Sequence, residues 1–132
     1  MIDVKNLKKS FGDVHVLKGI TTHVNKGECI CIIGPSGSGK STFLRCLNLL
    51  EKPDEGSMVL NGREYNLKNV KNKEKLEIRR NTSFVFQNYN LFVNKTVLSN
   101  VMLGLTVGCN MKKEEAEKTG NCLLYTSPSP RD

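Results

Sequence analysis

The sequence predicts an α/β fold that begins with an antiparallel β layer. Two observations support this prediction. Residues 2–24 are rich in alternating and β-branched positions, with turn residues between the runs. A short apolar run, Glu28–Ile33, then leads into a loop of glycine, serine and proline that is followed by a helical pattern. The chain has 132 residues, of which 38% are hydrophobic and 25% charged. This composition fits one domain and excludes both a membrane-embedded and a fully disordered chain.

The first elements follow from the spacing of apolar and turn residues. Ile2–Leu7 alternates as a strand does, and Phe11–Asp13 contains a glycine turn. Val14–Val24 is rich in β-branched residues and continues the layer, and Asn25–Gly27 is a second turn. The near-continuous apolar run Glu28–Ile33 is typical of a strand buried on both faces.

The elements after the glycine-rich loop alternate between helices and strands. Asn61-Gly62 is the residue pair that favours a tight hairpin turn, and it predicts a hairpin over Met58–Tyr65. Periodicity predicts helices over Ser41–Leu50, Lys71–Arg80, Thr96–Leu103 and Met111–Lys118, and a strand over Thr82–Phe86. Tyr125–Asp132 has two prolines and no periodic pattern, which predicts disorder.

The loop after Ile33 fits the phosphate-binding pattern G-x-x-x-x-G-K-[ST]. Glycines let successive backbone N–H groups turn towards one anion, and the helix that follows adds its free amides at the same point. A lysine supplies a mobile cation for the β- and γ-phosphates, and a hydroxyl oxygen is a suitable ligand for Mg²⁺. The predicted phosphate site comprises Gly34, Pro35, Ser36, Gly37, Ser38, Gly39, Lys40, Ser41 and Thr42, with Lys40 as a catalytic cation and Ser41 as a metal ligand.

The wider sequence resembles the ATP-binding subunit of ABC transporters. The resemblance rests on GPSGSGKST, on LRCLNLLEKPDEGSMVLNG after it, and on Phe84-Val85-Phe86-Gln87 followed by Asn90-Leu91-Phe92. It covers residues 1–121, which implies a P-loop NTPase fold of the ABC ATPase type that is incomplete at the C-terminus. RCLNLLEKPDEG and VFQNYNLF are similar to importers of polar amino acids, and NKTVLSNVMLGLTV is similar to importers of cystine.

The resemblance also implies roles for three residues outside the phosphate loop. Gln87 occupies the position of the Q-loop glutamine, which contacts Mg²⁺ and the attacking water. Phe11 occupies the position of an aromatic that stacks on adenine, and Val16 would pack against the same base or ribose. The implied cofactors are ATP and Mg²⁺. The implied partners are a pair of transmembrane permease subunits, a second copy of the complete subunit and, indirectly, a substrate-binding protein, at the cytoplasmic face of the membrane.

Several motifs of that family do not occur in the sequence. There is no L-S-G-G-Q signature and no apolar strand ending in Asp-Glu, and both histidines, His15 and His23, precede the phosphate loop. We therefore expect an N-terminal fragment with little hydrolytic activity alone and poor solubility. The string LLYTSPSPRD resembles the translation of a sequencing adaptor, so we interpret residues 122–132 as a non-native or disordered tail.

Two other readings of the phosphate loop stay open at this point. The chain could be another phosphotransferase with a P-loop, such as a small-molecule kinase, or a nucleotide-binding module that does not hydrolyse its ligand. The net charge of +7 comes from scattered lysines without interleaved aromatics, which predicts no nucleic-acid partner. The five cysteines have no paired C-x-x-C spacing, which favours buried, reduced thiols over a zinc site.

Overall fold

The computed structural model describes residues 1–126, and the last six residues lie outside the described part. The elements in chain order are β1 (Ile2–Phe11), β2 (Val14–Val24), α1 (Lys40–Leu47), β3 (Glu55–Leu60), β4 (Arg63–Asn66), a 3₁₀ turn (Leu67–Asn69), α2 (Asn72–Asn81), α3 (Val97–Leu103), a π-helical turn (Gly104–Gly108) and α4 (Lys113–Thr126). The chain divides into two units, Met1–Phe84 and Val85–Asp132.

The first unit is built on a four-stranded antiparallel sheet with the order β2-β1-β3-β4. The predicted β layer is confirmed, and β1 extends to Phe11 rather than Leu7. The predicted Asn61-Gly62 hairpin is also confirmed, with Leu60 paired to Arg63 across the turn. Both turn residues have positive φ angles, which matches the twist of the flanking strands.

The core of the first unit lies between the sheet and the helices α1 and α2. The helical pattern of α1 places Phe43 and Cys46 on the sheet, and Ile78 of α2 joins the same cluster. The residues that complete this core are Val4, Leu7, Leu17, Leu49, Met58, Leu60, Tyr65 and Leu67. Burial of these side chains is the main source of the unit's stability.

Two predicted strands are absent from the described residues. Glu28–Ile33 and Thr82–Phe86 have no strand assignment, and Ile30, Ile33 and Val85 are exposed. Each of these segments would need a hydrogen-bonded neighbouring strand to form a strand itself, because an isolated extended segment has no ladder of hydrogen bonds. Within residues 1–126, the strand pairings join only β1, β2, β3 and β4.

The prediction of buried cysteines is wrong for most of them. Cys46 is buried, whereas the other free thiols, Cys29, Cys31, Cys109 and Cys122, are exposed. Cys29 and Cys31 are exposed because the apolar segment that contains them does not pair with a strand in the described part of the chain. Burial raises the pKa of the Cys46 thiol to about 11, so that thiol stays protonated and packs as a small apolar group.

The second unit pairs α3 with α4 behind an ordered turn. Asn100 holds the turn before α3, because its Oδ1 accepts from the Phe92 N–H at 2.8 Å and its Nδ2 donates to the Thr96 carbonyl at 3.0 Å. Gly120 of α4 lies directly against α3, since a Cβ there would be 3.1 Å from Met102 Cγ. α4 continues to Thr126, beyond the predicted end at Lys118.

The predicted tail is only partly within the described residues. Tyr125 and Thr126, which the sequence assigned to disorder, are the last two residues of α4. Residues 127–132 lie outside the described part. The assignment of residues 122–132 as a non-native or disordered tail stays a prediction.

Gly56 of β3 tests the close packing of β3 on β1. Its φ is +124°, and a Cβ there would lie 2.9 Å from Leu7 Cα and 3.1 Å from the Asn6 carbonyl oxygen. We expect Gly56→Ala to lower the free energy of unfolding by about 2–4 kcal/mol in chemical denaturation. The matched control is Gly62→Ala, which has a φ of +85° but open space around the new methyl group. It should cost about 1 kcal/mol, and equal losses in the two variants would contradict the packing argument.

Candidate nucleotide-binding site

The phosphate loop, residues 34–42, connects the extended segment Glu28–Ile33 to α1. The Phe43 N–H is the first to donate to a carbonyl of this helix, that of Gly39, at 2.8 Å. The amides of Lys40, Ser41 and Thr42 therefore have no partner within the helix. Gly39 is the N-cap residue of α1, and no side chain caps these amides in the described structure. The end of α1 thus presents free donors and the positive end of its dipole to an anion.

The loop approaches the sheet most closely at Gly39. This residue has a φ of +91°, in the left-handed region, and a Cβ there would lie 2.7 Å from Val16 Cγ1 and 3.3 Å from Leu17 Cδ2. Only a residue without a side chain fits this backbone and this gap. β2 therefore fixes the height of the loop above the sheet through the contact between Gly39 and Val16.

The Lys40 ammonium group lies inside the curve of the loop. Its Nζ donates to the carbonyl oxygens of Gly34 and Pro35 at 2.7 and 2.6 Å, and to Ser38 Oγ at 3.4 Å. The Ser38 N–H in turn donates to the Pro35 carbonyl at 3.3 Å. These bonds close the loop around the Lys40 cation.

A cavity of about 610 Å³ opens beside the loop. Its walls are the inner face of β1 and β2, the segment Glu28–Ile33 and one side of α1, and they are mostly apolar. Gly34, Ser38 and Lys40 line its polar end. The phosphate loop therefore lies at the rim of an apolar space rather than on a flat surface.

The predicted site residues differ in where the structure places them. Val16 is half-buried against Gly39, as described above. Phe11 ends β1 with 47% of its surface exposed, and its ring carries the Lys9 Nζ at 4.8 Å from the centroid. Ser41 and Ser36 are exposed. Gln87 belongs to the second unit, in the irregular segment 82–96.

A polar network that the sequence did not predict joins β1 and β2 to the segment that precedes the phosphate loop. His23 Nδ1 bonds Asp3 Oδ1 across the β1–β2 pair, and His23 Nε2 lies 2.8 Å from Asn25 Oδ1. Glu28 accepts from the Asn25 backbone N–H at 2.7 Å and from its Nδ2 at 3.0 Å. The network ties β1, β2 and the start of the extended segment together. Its signal was the Asp3–His23 register, which a single sequence does not reveal.

The charges of this network shift two pKa values. Hydrogen bonds to Asp3 and Asn25 raise the pKa of His23, because both ring nitrogens face acceptors and the imidazolium satisfies both. Hydrogen bonds from Asn25 lower the pKa of Glu28, because they favour its carboxylate. Both groups are charged in the same range of pH, which favours the closed network there.

Known proteins with similar sequences identify the family of this chain. A sequence profile described as ABC transporter matches residues 17–125. The chain belongs to the ABC transporter family. The match contains the whole phosphate loop and extends into α4, so the resemblance predicted from the sequence is confirmed. The expected fold, a partial ABC ATPase fold with an N-terminal antiparallel β layer, is confirmed as well.

Several curated relatives of this chain are ATP-binding proteins of amino-acid import or transport. An L-cystine import ATP-binding protein of Bacillus subtilis (strain 168) is 54% identical over 116 residues, which cover 88% of this chain and 45% of that protein. A probable amino-acid import ATP-binding protein of the same organism is 50% identical over 124 residues, which cover 94% and 50%. The chain therefore spans about half the length of the curated relatives that it matches.

Solved structures show the same ABC fold. A dimeric ATP-binding cassette in a post-hydrolysis state, bound to ADP and Pi, matches with a TM-score of 0.80 at 34% identity. The match covers 99% of this chain and 59% of that one. A dimeric bacterial ABC transporter cassette matches with a TM-score of 0.81 at 35% identity, again over 99% and 59%.

Gly39 tests how the sheet positions the phosphate loop. We expect Gly39→Ala to weaken binding of a fluorescent ATP analogue by at least about tenfold, because the new methyl group would displace the loop from Val16. The control is Gly37→Ala, which has a φ of +78° but nothing within 4 Å of the new methyl group. A second variant, Val16→Ala with Gly39→Ala, removes the clash and should recover part of the affinity. Equal losses in the Gly39 and Gly37 variants would contradict a role for the Val16 contact.

His23 gives the first unit a pH-dependent stability. Its pKa is raised in the folded state, so its contribution is complete below the unfolded pKa of about 6.5 and is lost as the pH rises through the folded value. The gap in Tm between the natural chain and His23→Gln should be larger near about pH 6 than near about pH 8.5. Asp3→Asn should reduce the same gap.

The control for this measurement is Asp13→Asn, in the turn between β1 and β2. Asp13 makes no hydrogen bond or ion pair within residues 1–126. Its replacement should leave the pH dependence of Tm as it is in the natural chain. A gap between the natural chain and His23→Gln that is constant across the pH range would contradict the network.

Proposed function

We propose that this chain is the N-terminal part of the ATP-binding subunit that energises an importer of polar amino acids. One observation carries the proposal: the loop of residues 34–42 encloses the Lys40 ammonium group and leads into the N-terminus of α1, where the first amides are free. The chain that contains this loop belongs to the ABC transporter family. The relatives support the class of substrate, since they are named for import of L-cystine and of amino acids. Within this class, we propose cystine as the amino acid that the complete importer transports.

The residues of the loop fit ATP and Mg²⁺. Gly39 leaves no room for a side chain, the first helix amides are free, and the Lys40 ammonium lies at the Gly34 and Pro35 carbonyls of the same loop. In our proposal Lys40 and these amides hold the β- and γ-phosphates, and the Ser41 hydroxyl is a ligand of Mg²⁺. The metal neutralises phosphate charge when it is bound. Gln87 is the proposed second oxygen ligand and orients the attacking water, since an amide both donates and accepts.

The residues that we propose to contact the adenine base lie on the first two strands of the sheet. Phe11 ends β1 with an exposed ring, which suits face-on stacking with adenine. Val16 is half-buried and already packs on Gly39, so in this proposal it supports both the loop and the sugar or base. The two residues lie on adjacent strands that pair at Phe11 and Val14.

We further propose that this chain alone hydrolyses ATP at a rate near background. Phosphoryl transfer needs a positioned water, neutralised charge and a closed site. Lys40, Ser41 and Gln87 supply part of this, and the sequence contains no L-S-G-G-Q signature and no apolar strand ending in Asp-Glu. In this respect the chain would behave as a nucleotide-binding module.

The proposed partners follow from the family of this chain and from the dimeric cassettes that it resembles. We propose that the complete subunit pairs with a second copy, because the matched cassettes are dimeric. It would act on a pair of permease subunits and, through them, on a substrate-binding protein, at the cytoplasmic face of the membrane. We propose a peripheral position for the subunit, as the family resemblance implies. No helix in residues 1–126 is long and apolar enough to cross a membrane.

Lys40 tests nucleotide binding directly. We expect Lys40→Ala to weaken the affinity for a fluorescent ATP analogue by about tenfold to a hundredfold, because it removes a charge-assisted contact to phosphate. The matched control is Lys18→Ala, an exposed lysine of β2 that loses the same charge outside the loop. Titration by fluorescence anisotropy measures both.

Two results would contradict the proposal in different ways. Equal affinities for the Lys40 and Lys18 variants would remove the assignment of the phosphate loop as the nucleotide site. Phosphate release from ATP by the natural chain well above a protein-free blank would leave that site in place but overturn the proposed lack of hydrolysis. A phosphorylated small-molecule acceptor in the same assay would favour a phosphotransferase.

A further inference from the structure

A second cavity, which we call the basic cavity, lies away from the phosphate loop in the first unit. Its volume is about 320 Å³, and it shares no lining residue with the cavity beside the loop. Its apolar floor consists of two buried leucines, and its walls carry four lysines from the segment after α1, the 3₁₀ turn and the start of α2. These lining residues are Leu49, Leu67, Lys52, Lys68, Lys71 and Lys75.

The lysines of the basic cavity have no carboxylate partner within residues 1–126. Other lysines of the same unit do: Lys8 pairs with Glu55 at 2.8 Å, and Lys9 pairs with Glu51 at 3.2 Å. Glu74 comes from the same turn of α2, but its carboxylate accepts from the Lys71 backbone N–H at 2.8 Å and caps the helix. Four lysines therefore line one concavity without a described carboxylate in ion-pair contact, and a bound anion would relieve the repulsion between their charges.

The backbone around the basic cavity is held by hydrogen bonds. Asn66 Oδ1 accepts from the Lys68 N–H at 3.1 Å, which fixes the 3₁₀ turn. The Arg79 guanidinium donates to the Leu49 carbonyl at 2.7 Å, which fixes the floor. α2 begins at Asn72, and the Glu74 carboxylate caps this start by accepting from the Lys71 N–H.

We propose that the basic cavity binds a phosphate group that carries two or more negative charges. Lysine ammonium groups bind phosphate as point charges with three donors each. Several of them around one concavity favour a multiply charged group over a single carboxylate. The volume accepts a phosphoryl group together with a small apolar portion over the leucine floor. This site is independent of the proposed nucleotide site, because the two share no residue.

The test uses the full chain with Lys40→Ala, so that the phosphate loop contributes little. Calorimetric titration with sodium tripolyphosphate compares Lys68→Gln with Lys71→Gln against a control pair, Lys5→Gln with Lys18→Gln. Both pairs lose the same two charges, and Lys5 and Lys18 are exposed on β1 and β2 outside either cavity. We expect the cavity pair to weaken binding by at least about tenfold and the control pair by less than about threefold.

A second arm identifies the source of the phosphate. The same variants are sedimented with vesicles of phosphatidic acid and phosphatidylcholine, and with vesicles of phosphatidylcholine alone. A selective loss with tripolyphosphate assigns a free phosphorylated ligand, and a selective loss only with the anionic vesicles assigns a lipid headgroup. Equal effects of the cavity and control pairs in both arms mean attraction by net charge alone and overturn the proposal.

Folding of the variants is controlled within the same experiment. If Lys68→Gln with Lys71→Gln lowers the Tm, a second pair, Lys52→Gln with Lys75→Gln, removes two charges from the other walls of the same cavity. We expect this pair to reproduce the selective loss. Unchanged tripolyphosphate and vesicle binding in a folded Lys52 and Lys75 variant would also overturn the proposal.

Discussion

The packing of α1 on the inner face of the antiparallel sheet determines where the phosphate loop lies. Phe43 and Cys46 of α1 are buried against Val4 and Leu17 of the sheet, and the loop is the segment that leads into this helix. At its closest point the loop has no space for even one methyl group, since Gly39 lies against Val16. The anion site is therefore a consequence of core packing: the sheet positions the helix, and the helix end presents the amides.

The segment before the loop is where apolar sequence and burial differ most. Its near-continuous apolar residues normally indicate a buried strand, yet Ile30, Ile32 and Ile33 are 50%, 39% and 90% exposed. They also line the cavity beside the loop together with α1. The polar network of His23, Asn25 and Glu28 holds the start of this segment, and Lys40 holds its end through the Gly34 carbonyl. The segment is thus anchored at both ends although no described strand pairs with it.

Local chemistry explains which features the sequence predicts well. Three features depend only on neighbours within a few positions, and the structure confirms them. They are the Asn61-Gly62 turn, the amphipathic helix α1 and the loop that leads into this helix. Strand status at Glu28–Ile33 depends on distant pairing partners, so an apolar run alone did not decide it. The Asp3–His23 pair depends on register, and the contact between Gly39 and Val16 depends on how a helix lies on a sheet. The roles of Phe11 and Gln87 rest on family resemblance and stay predictions.

The central claim is that the amides at the start of α1 bind the phosphates of a nucleotide. The most direct measurement is a titration of the ¹⁵N-labelled chain with Mg²⁺ and ADP, followed by amide chemical shifts. We predict that the amide signals of Gly34 and of residues 36–42 shift the most, while those of α4 in the second unit keep their positions. Saturating shifts confined to other parts of the chain, with the loop amides unmoved, would contradict it.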